Sequence, residues 1–280
     1  MPELPEVETI RRGIEPHVVG RTIERVVVRE RRMRWPIPRD FARKLAGRRI
    51  RAVDRRGKYL LLDLDGPPTT ALGGRDRVIL HMGMTGRLLL LEPGFPVRKH
   101  DHLDLELSGN LLLRFNDARR FGAALWWPGS QPQHALLKQM GPEPFDAAFD
   151  ADYLFRLSRG RTAPVKNFLM DGRVVVGVGN IYAVEALFRA GIRPTRHAGR
   201  VTRAEYGKLV EAVREVLNDA IAAGGTTFRD FRDSAGEPGY FVQKLFVYDR
   251  AGEPCRKCRT PIRRLVIGQR SSFYCPRCQK

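Results

Sequence analysis

Two groups of residues in this chain have the types and spacing to do chemistry. The first is Pro2-Glu3, directly behind Met1. Met ahead of a small residue is ordinarily trimmed, and trimming turns the ring nitrogen of Pro2 into a free secondary amine. Such an amine has a pKa near ~8, so a useful fraction is unprotonated at neutral pH. It can attack an electrophilic carbon and form an iminium ion, the chemistry of Schiff-base catalysis. Glu3 adjoins the amine, within reach for proton transfer. A Pro at position 2 is also common and merely rigid, and on position alone that reading wins. An untrimmed Met1 makes the Pro2 nitrogen an amide and abolishes the nucleophile.

The second group is Cys255-Arg256-Lys257-Cys258, then sixteen residues, then Cys275-Pro276-Arg277-Cys278. Two Cys-x-x-Cys pairs at this separation can supply four thiolates to one tetrahedral Zn²⁺. The segment between them carries Ile262, Leu265, Val266, Ile267 and Phe273, enough for a hairpin too small to fold without the metal. A closed Cys₄ site is structural, not catalytic. Redox pairs and fortuitous cysteines are the competing readings. No other Cys exists in the chain, which leaves none for disulfides and fits a reducing, intracellular setting.

Composition narrows the partner. Against 31 Asp and Glu stand 50 Lys and Arg, a net charge of +19 and a sequence pI near 10.6. A chain this basic most often meets a polyanion, nucleic acid first, although an Arg-rich proteome also raises charge. No apolar run approaches membrane-spanning length, and Glu3, Glu6 and Glu8 occupy the place of a signal peptide's basic region.

The elements that must position these groups fall into two blocks. A helix over Pro5–Val19, with Val7, Ile10, Ile14 and Val18 at helical spacing, precedes eight β-rich segments. These are Thr22–Val28, Arg48–Val53, Tyr59–Leu64, Val78–His81, Arg87–Leu91, Leu103–Leu107, Leu111–Phe115 and Gly122–Trp127. Short strands without intervening long helices predict an antiparallel sandwich or barrel. Beyond a linker over 131–150 the periodicity is helical: Ala151–Ser158, Ala163–Met170, Ile181–Arg189 and Arg203–Ala222, the last capped by Thr202. The expected organisation is an α+β chain: a β-sandwich domain at 1–130, a helical domain at 151–241 and a cysteine unit at 242–280.

Several loops stand out. Gly177-Val178-Gly179-Asn180 opens a helix, with Asn180 where an N-cap would sit and N–H groups suited to a phosphate. An ordinary capped helix is the commoner explanation. Met84 lies in the Gly-flanked turn His81–Gly86, and Arg119 sits near Phe121 in Asn116–Gly122. Exposed apolar and Arg side chains on loops can wedge into a duplex and fill the space of an extruded base. Taken singly, each of Met84 and Phe121 reads better as a core residue. Lys58 opens an apolar strand, so it faces solvent or reaches a site. His100 and His102 lack a third metal ligand at suitable spacing and read as structural or surface residues.

Together these segments resemble the formamidopyrimidine-DNA glycosylase family over essentially the whole chain. The resemblance rests on Pro2–Glu8, on Gly177–Tyr182 as a helix-two-turn-helix motif, and on the cysteine pairs with Gln269-Arg270 and Phe273-Tyr274-Cys275 as a zinc finger. It implies a bifunctional base-excision repair enzyme that removes 8-oxoguanine and formamidopyrimidines from damaged duplex DNA and then cuts the strand by β,δ-elimination. Pro2 would be the nucleophile on C1′ and Glu3 the acid/base group that helps open the sugar ring. Lys58, His81, Asn180 and Arg270 would grip phosphates, with Lys58 and Arg270 counted in the catalytic set. Met84, Arg119 and Phe121 would fill the gap in the duplex, and His100 and Tyr240 would also contact DNA. The loop Gly224–Tyr240, with Lys166 nearby, would meet the damaged base. One structural Zn²⁺, a cytoplasmic, nucleoid-associated location and a monomeric state complete the expectation. The stretch 66–77 is longer than expected and reads as a surface insertion. Two alternatives stand beside this one: an endonuclease VIII-type glycosylase for oxidised pyrimidines, and a non-catalytic zinc-ribbon DNA-binding protein.

Overall fold

Short strands, several of them buried along nearly their whole length, build most of the first half of the chain. The computed structural model describes residues 2–65, 75–224 and 245–280. Met1, most of the 66–77 stretch, and Tyr240 with nearly all of the Gly224–Tyr240 loop lie outside the described residues. The chain divides into two compact units. One contains Pro2 and Glu6–Lys138, the other Glu3–Pro5, Gln139–Ala223 and the described part of Val242–Lys280.

In the first unit, α1 (Leu4–Val18) contributes Val7, Ile10, Ile14 and Val18 to a core shared with strands, as its periodicity predicts. Eight antiparallel strands follow: β1 (Ile23–Val28), β2 (Ile50–Arg56), β3 (Tyr59–Leu64), β4 (Arg77–His81), β5 (Gly86–Leu91), β6 (Asp101–Leu107), β7 (Leu111–Asp117) and β8 (Ala123–Trp127). They form two four-stranded sheets, ordered β1-β6-β7-β5 and β2-β3-β4-β8. One shared hydrophobic core holds inward residues of both, among them Leu62, Leu80, Leu88 and Phe115. A short helix, α2 (Phe41–Leu45), buries Phe41 and Leu45 in the same core.

Besides the long segment 29–49, which carries β1 into β2, two short connections cross from one sheet to the other. The turn 82–85 carries β4 into β5, and the loop 118–122 carries β7 into β8. The end of the 66–77 stretch is pinned: Asp76 accepts the Gly129 N–H at 2.7 Å and pairs with Arg48, also at 2.7 Å.

The second unit is helical: α3 (Ala151–Ser158), α4 (Val165–Met170), α5 (Asn180–Arg189) and α6 (Arg203–Ala222). Its core joins Leu4 to Phe168, Tyr182, Leu187, Tyr206 and Leu217. Thr202 and Glu205 close a capping box on α6, a device worth ~1 kcal/mol. A hairpin of β9 (Arg263–Ile267) and β10 (Arg270–Tyr274) completes the chain. Its two-residue turn has Gly268 and Gln269 both at positive φ, near 57° and 61°, as the twist of a tight hairpin demands.

Candidate active site and DNA interface

The start of α5 is the organising point of the second unit. Gly179, not Asn180, holds the N-cap position, and it offers no side chain to the helix. The acceptor comes instead from the chain's N-terminus. Glu3 receives the Gly179 N–H at 2.7 Å, the Ile181 N–H at 3.0 Å and the Tyr182 N–H at 3.5 Å. Helix-terminal N–H groups favour an anion there. The anion is therefore the protein's own carboxylate, which corrects the expectation of N–H groups left open for a phosphate. Only glycine fits the cap, because a Cβ at Gly179 would run into the Glu3 carboxyl group. The neighbouring Leu4 N–H donates to the Gly177 carbonyl at 3.0 Å, which fixes the strand of chain that carries Glu3. Pro2, half-buried, immediately precedes it.

Around Glu3 the unit gathers three further candidates. Lys166, in α4, is fully buried and donates from Nζ to the Ser272 hydroxyl at 2.6 Å. Burial pushes its pKa down to about 8, Arg270 adds to the fall, and Glu3 opposes it. Asn180 donates from Nδ2 to the Ser271 carbonyl at 2.9 Å. Arg270 starts the same strand and is exposed. Three consecutive residues of β10 thus carry one exposed guanidinium and two hydrogen-bond partners for α4 and α5. Ser272 escapes sequence reasoning, since a Ser inside a hairpin gives no signal. Glu185 escapes it too. Buried in α5, it accepts the N–H groups of Phe246, Val247 and Tyr248 at 2.8–2.9 Å and so fastens the start of the cysteine unit to that helix.

The four cysteines converge. Their sulfur atoms all lie within 4.8 Å of one another, with Cys255 and Cys278 at 3.9 Å and Cys258 and Cys275 at 3.4 Å. A tetrahedron with metal–sulfur bonds of ~2.3 Å has edges of ~3.8 Å, so the donor set fits a zinc-sized ion. Hydrogen bonds from Thr260 hold the Cys258 thiol down to about 6. The apolar cluster beside it is small, built on Val184, Phe188, Val247, Ile262 and Phe273.

In the first unit, candidates cluster on the two sheet-crossing loops. Met84 is 44% exposed and Phe121 is 43% exposed, which removes both from the core. The Arg119 guanidinium stacks 4.7 Å above the Phe121 ring. His81, at the end of β4, is buried, and its Nδ1 accepts the Gly83 N–H at 3.1 Å. The neutral ring then carries its proton on Nε2. Burial pushes His81 down to about 4; Arg34 and Lys58 reinforce this, while Asp117 and the Phe121 backbone oppose it. Lys58 sits in the two-residue turn between β2 and β3, which puts it at a strand end as its sequence context allows. Arg34 was not singled out from sequence; its adjacency to Trp35, over whose ring it stacks at 4.6 Å, was the available signal. His100 occupies a positive-φ turn, and buried His102 places Nε2 2.7 Å from the Asp117 carbonyl oxygen.

Three matches follow one another along the chain. The formamidopyrimidine-DNA glycosylase N-terminal domain matches residues 1–124, the H2TH domain of the same enzymes 140–232, and a zinc finger found in FPG and IleRS 252–280. Fold and matches together define the class, a DNA-repair glycosylase. A formamidopyrimidine-DNA glycosylase of Methylococcus capsulatus is 56% identical over 280 residues, covering 100% of both chains. The chain belongs to the formamidopyrimidine-DNA glycosylase family. Two crystal structures of the Lactococcus lactis enzyme are similar throughout. A complex with Fapy-dG-containing DNA gives a TM-score of 0.87 at 31% identity, covering 99% of this chain and 100% of that one. A complex with oxidised-pyrimidine-containing DNA gives 0.88 at 31% identity, covering 100% of both.

Proposed function

We propose that the protein excises 8-oxoguanine and formamidopyrimidines from duplex DNA through a Schiff base at Pro2, and cuts the strand by β,δ-elimination. The amine nitrogen of Pro2 attacks C1′, the glycosidic bond breaks, and the damaged base leaves with a proton. Glu3 delivers a proton to the ring oxygen, opening the sugar and leaving an iminium ion. The iminium acidifies C2′; loss of that proton expels the 3′-phosphate, and a second elimination expels the 5′-phosphate. Water then releases Pro2. A lysine nucleophile would need its pKa lowered, whereas an N-terminal amine is ready near neutral pH.

One observation carries this reading. Glu3 is locked on the α5 N-terminus by three N–H groups, so the carboxylate of the residue that follows Pro2 in the chain has a fixed position. Extrusion of the nucleotide requires a wedge and a phosphate grip. Met84, Arg119 and Phe121 supply the first; Lys58, His81, Asn180 and Arg270 supply the second, with His100 and Tyr240 as further DNA contacts. Lys166 serves the damaged base. Zn²⁺ is the ion assigned to Cys255, Cys258, Cys275 and Cys278, where it would hold the hairpin that presents Arg270. The enzyme acts as a monomer on double-stranded DNA in the cytoplasm.

A second reading, activity on oxidised pyrimidines, is favoured by the Lactococcus lactis complex with such a lesion. Single-turnover excision of 8-oxoguanine and of thymine glycol from matched duplexes tests the choice. Faster release of 8-oxoguanine, lost in Glu3→Gln, is the expected outcome. Faster release of thymine glycol would overturn the purine assignment.

A further inference from the structure

The two crossover loops share a buried anchor that the mechanism above does not use. Asp117, the last residue of β7, is fully buried. Its Oδ1 accepts the Thr85 hydroxyl at 2.5 Å and the Arg119 N–H at 3.3 Å, and its Oδ2 accepts the Gly122 N–H at 2.8 Å. The Thr85 oxygen in turn accepts the Arg119 N–H at 3.1 Å. Thr85 belongs to the turn that displays Met84, whereas Arg119 and Gly122 flank the loop that displays Phe121. One carboxylate therefore ties both loops. The backbone of the same residue is committed as well: its N–H donates to the His100 carbonyl at 3.0 Å, and its carbonyl oxygen lies 2.7 Å from His102 Nε2.

Packing closes the same joint from the other side. Gly83 has φ near 59°, and a Cβ there would run into the Phe121 carbonyl and the Gly122 nitrogen. The loops thus meet backbone on backbone, with no side chain between them. Phe121, 43% exposed, projects outward from a base in which neither loop can shift alone.

We propose that Asp117 is a positioning residue: its carboxylate locks the two sheet-crossing loops into one preformed wedge, so that Met84, Arg119 and Phe121 enter the duplex as a unit. The proposal rests on the wedge reading given above. Extruding a base costs unstacking energy, and loops that must first order themselves would add an entropic cost to that step. A carboxylate suits the joint because it accepts on both oxygens. An asparagine has one accepting oxygen and must abandon either Gly122 or the Thr85–Arg119 side.

The test compares two substrates with single-turnover kinetics: 8-oxoguanine paired with cytosine, and 8-oxoguanine facing an abasic nucleotide, where little pairing remains to be broken. Asp117→Asn and Thr85→Val should lose roughly tenfold on the paired lesion, the scale of ordering one or two loop side chains during the step, and several-fold less on the unpaired one. Thr85→Ser, which keeps the hydroxyl, should restore the paired rate. Because Asp117 is buried, its variant can fail to fold; half-buried Thr85 then carries the test alone. A variant that loses equally on both substrates is merely damaged, and that result overturns the proposal. Met84→Ala and Phe121→Ala separate the two claims. Selective loss in these two with none in Asp117→Asn or Thr85→Val overturns the positioning role alone. No selective loss in any of the four overturns the wedge reading and the positioning role with it.

Discussion

Glu3 shows how much one residue's place depends on another far away in sequence. Its carboxylate sits on N–H groups 176 to 179 residues downstream. Gly179 is essential to that seat, since any Cβ would occupy the space of the carboxyl group. Its backbone is extended, so alanine strains nothing but this contact. Gly179→Ala should therefore fold and yet lose excision by on the order of a hundredfold, the cost of a misplaced catalytic group. Gly172→Ala, with open space around its Cβ, should be neutral; equal activity of the two variants in a duplex-cleavage assay would contradict the account. His81 offers a second check at this scale. Its pKa in the folded protein, about 4, lies below its ordinary 6.5, so the unfolded chain binds more protons between those values. Its contribution to stability is complete above pH 6.5 and fades as pH falls toward 4, by at most ~1.4 kcal/mol per unit. Urea midpoints of the wild type and His81→Gln should converge over that range. Parallel curves would show that His81 is not held neutral.

At the scale of elements, the sequence was most legible where one pattern decided the outcome. Strand β3 and helices α3 and α6 carry the bounds their periodicity and caps predict. Strand β2 runs on through Arg55 and Arg56, charged residues that nonetheless pair with Leu60 and Tyr59 across a tight turn. Helix α2 is five residues long, too short for any periodicity to register. Long-range polar joints were illegible for another reason. Glu3 on α5, Glu185 on residues 246–248 and Lys166 on Ser272 each unite segments that no local pattern connects. The cysteine pairs were the opposite case, because metal geometry dictates their spacing. Seven residues form the buried cluster around the β9–β10 hairpin, too little apolar surface to hold it unaided. Removing the metal with a chelator, or replacing Cys275 by Ser, should melt this hairpin and abolish DNA binding while α3–α6 stay folded. Circular dichroism with hydrogen exchange reads both; a hairpin that remains protected after metal loss would contradict a structural role.

Across the whole molecule, charge and topology serve one purpose. A net charge of +19 draws the chain to a polyanion by releasing counterions, whatever the sequence of the DNA. On the proposed function, selectivity comes from sites on each unit: the paired crossover loops of the sandwich, and the clamped Glu3 with its neighbours in the helical unit. The partner class was readable from composition, whereas the chemistry was not, because a Pro at position 2 proves nothing alone. The central claim is that a trimmed Pro2 attacks C1′ with its amine. Borohydride added during turnover of an 8-oxoguanine duplex reduces an iminium to a stable amine, and peptide mapping then locates the bond. The account predicts a covalent protein–DNA species joined at Pro2 in chains that have lost Met1, and none in chains that retain it. Turnover by trimmed protein with no trapped species, or with the bond on a lysine, would contradict it.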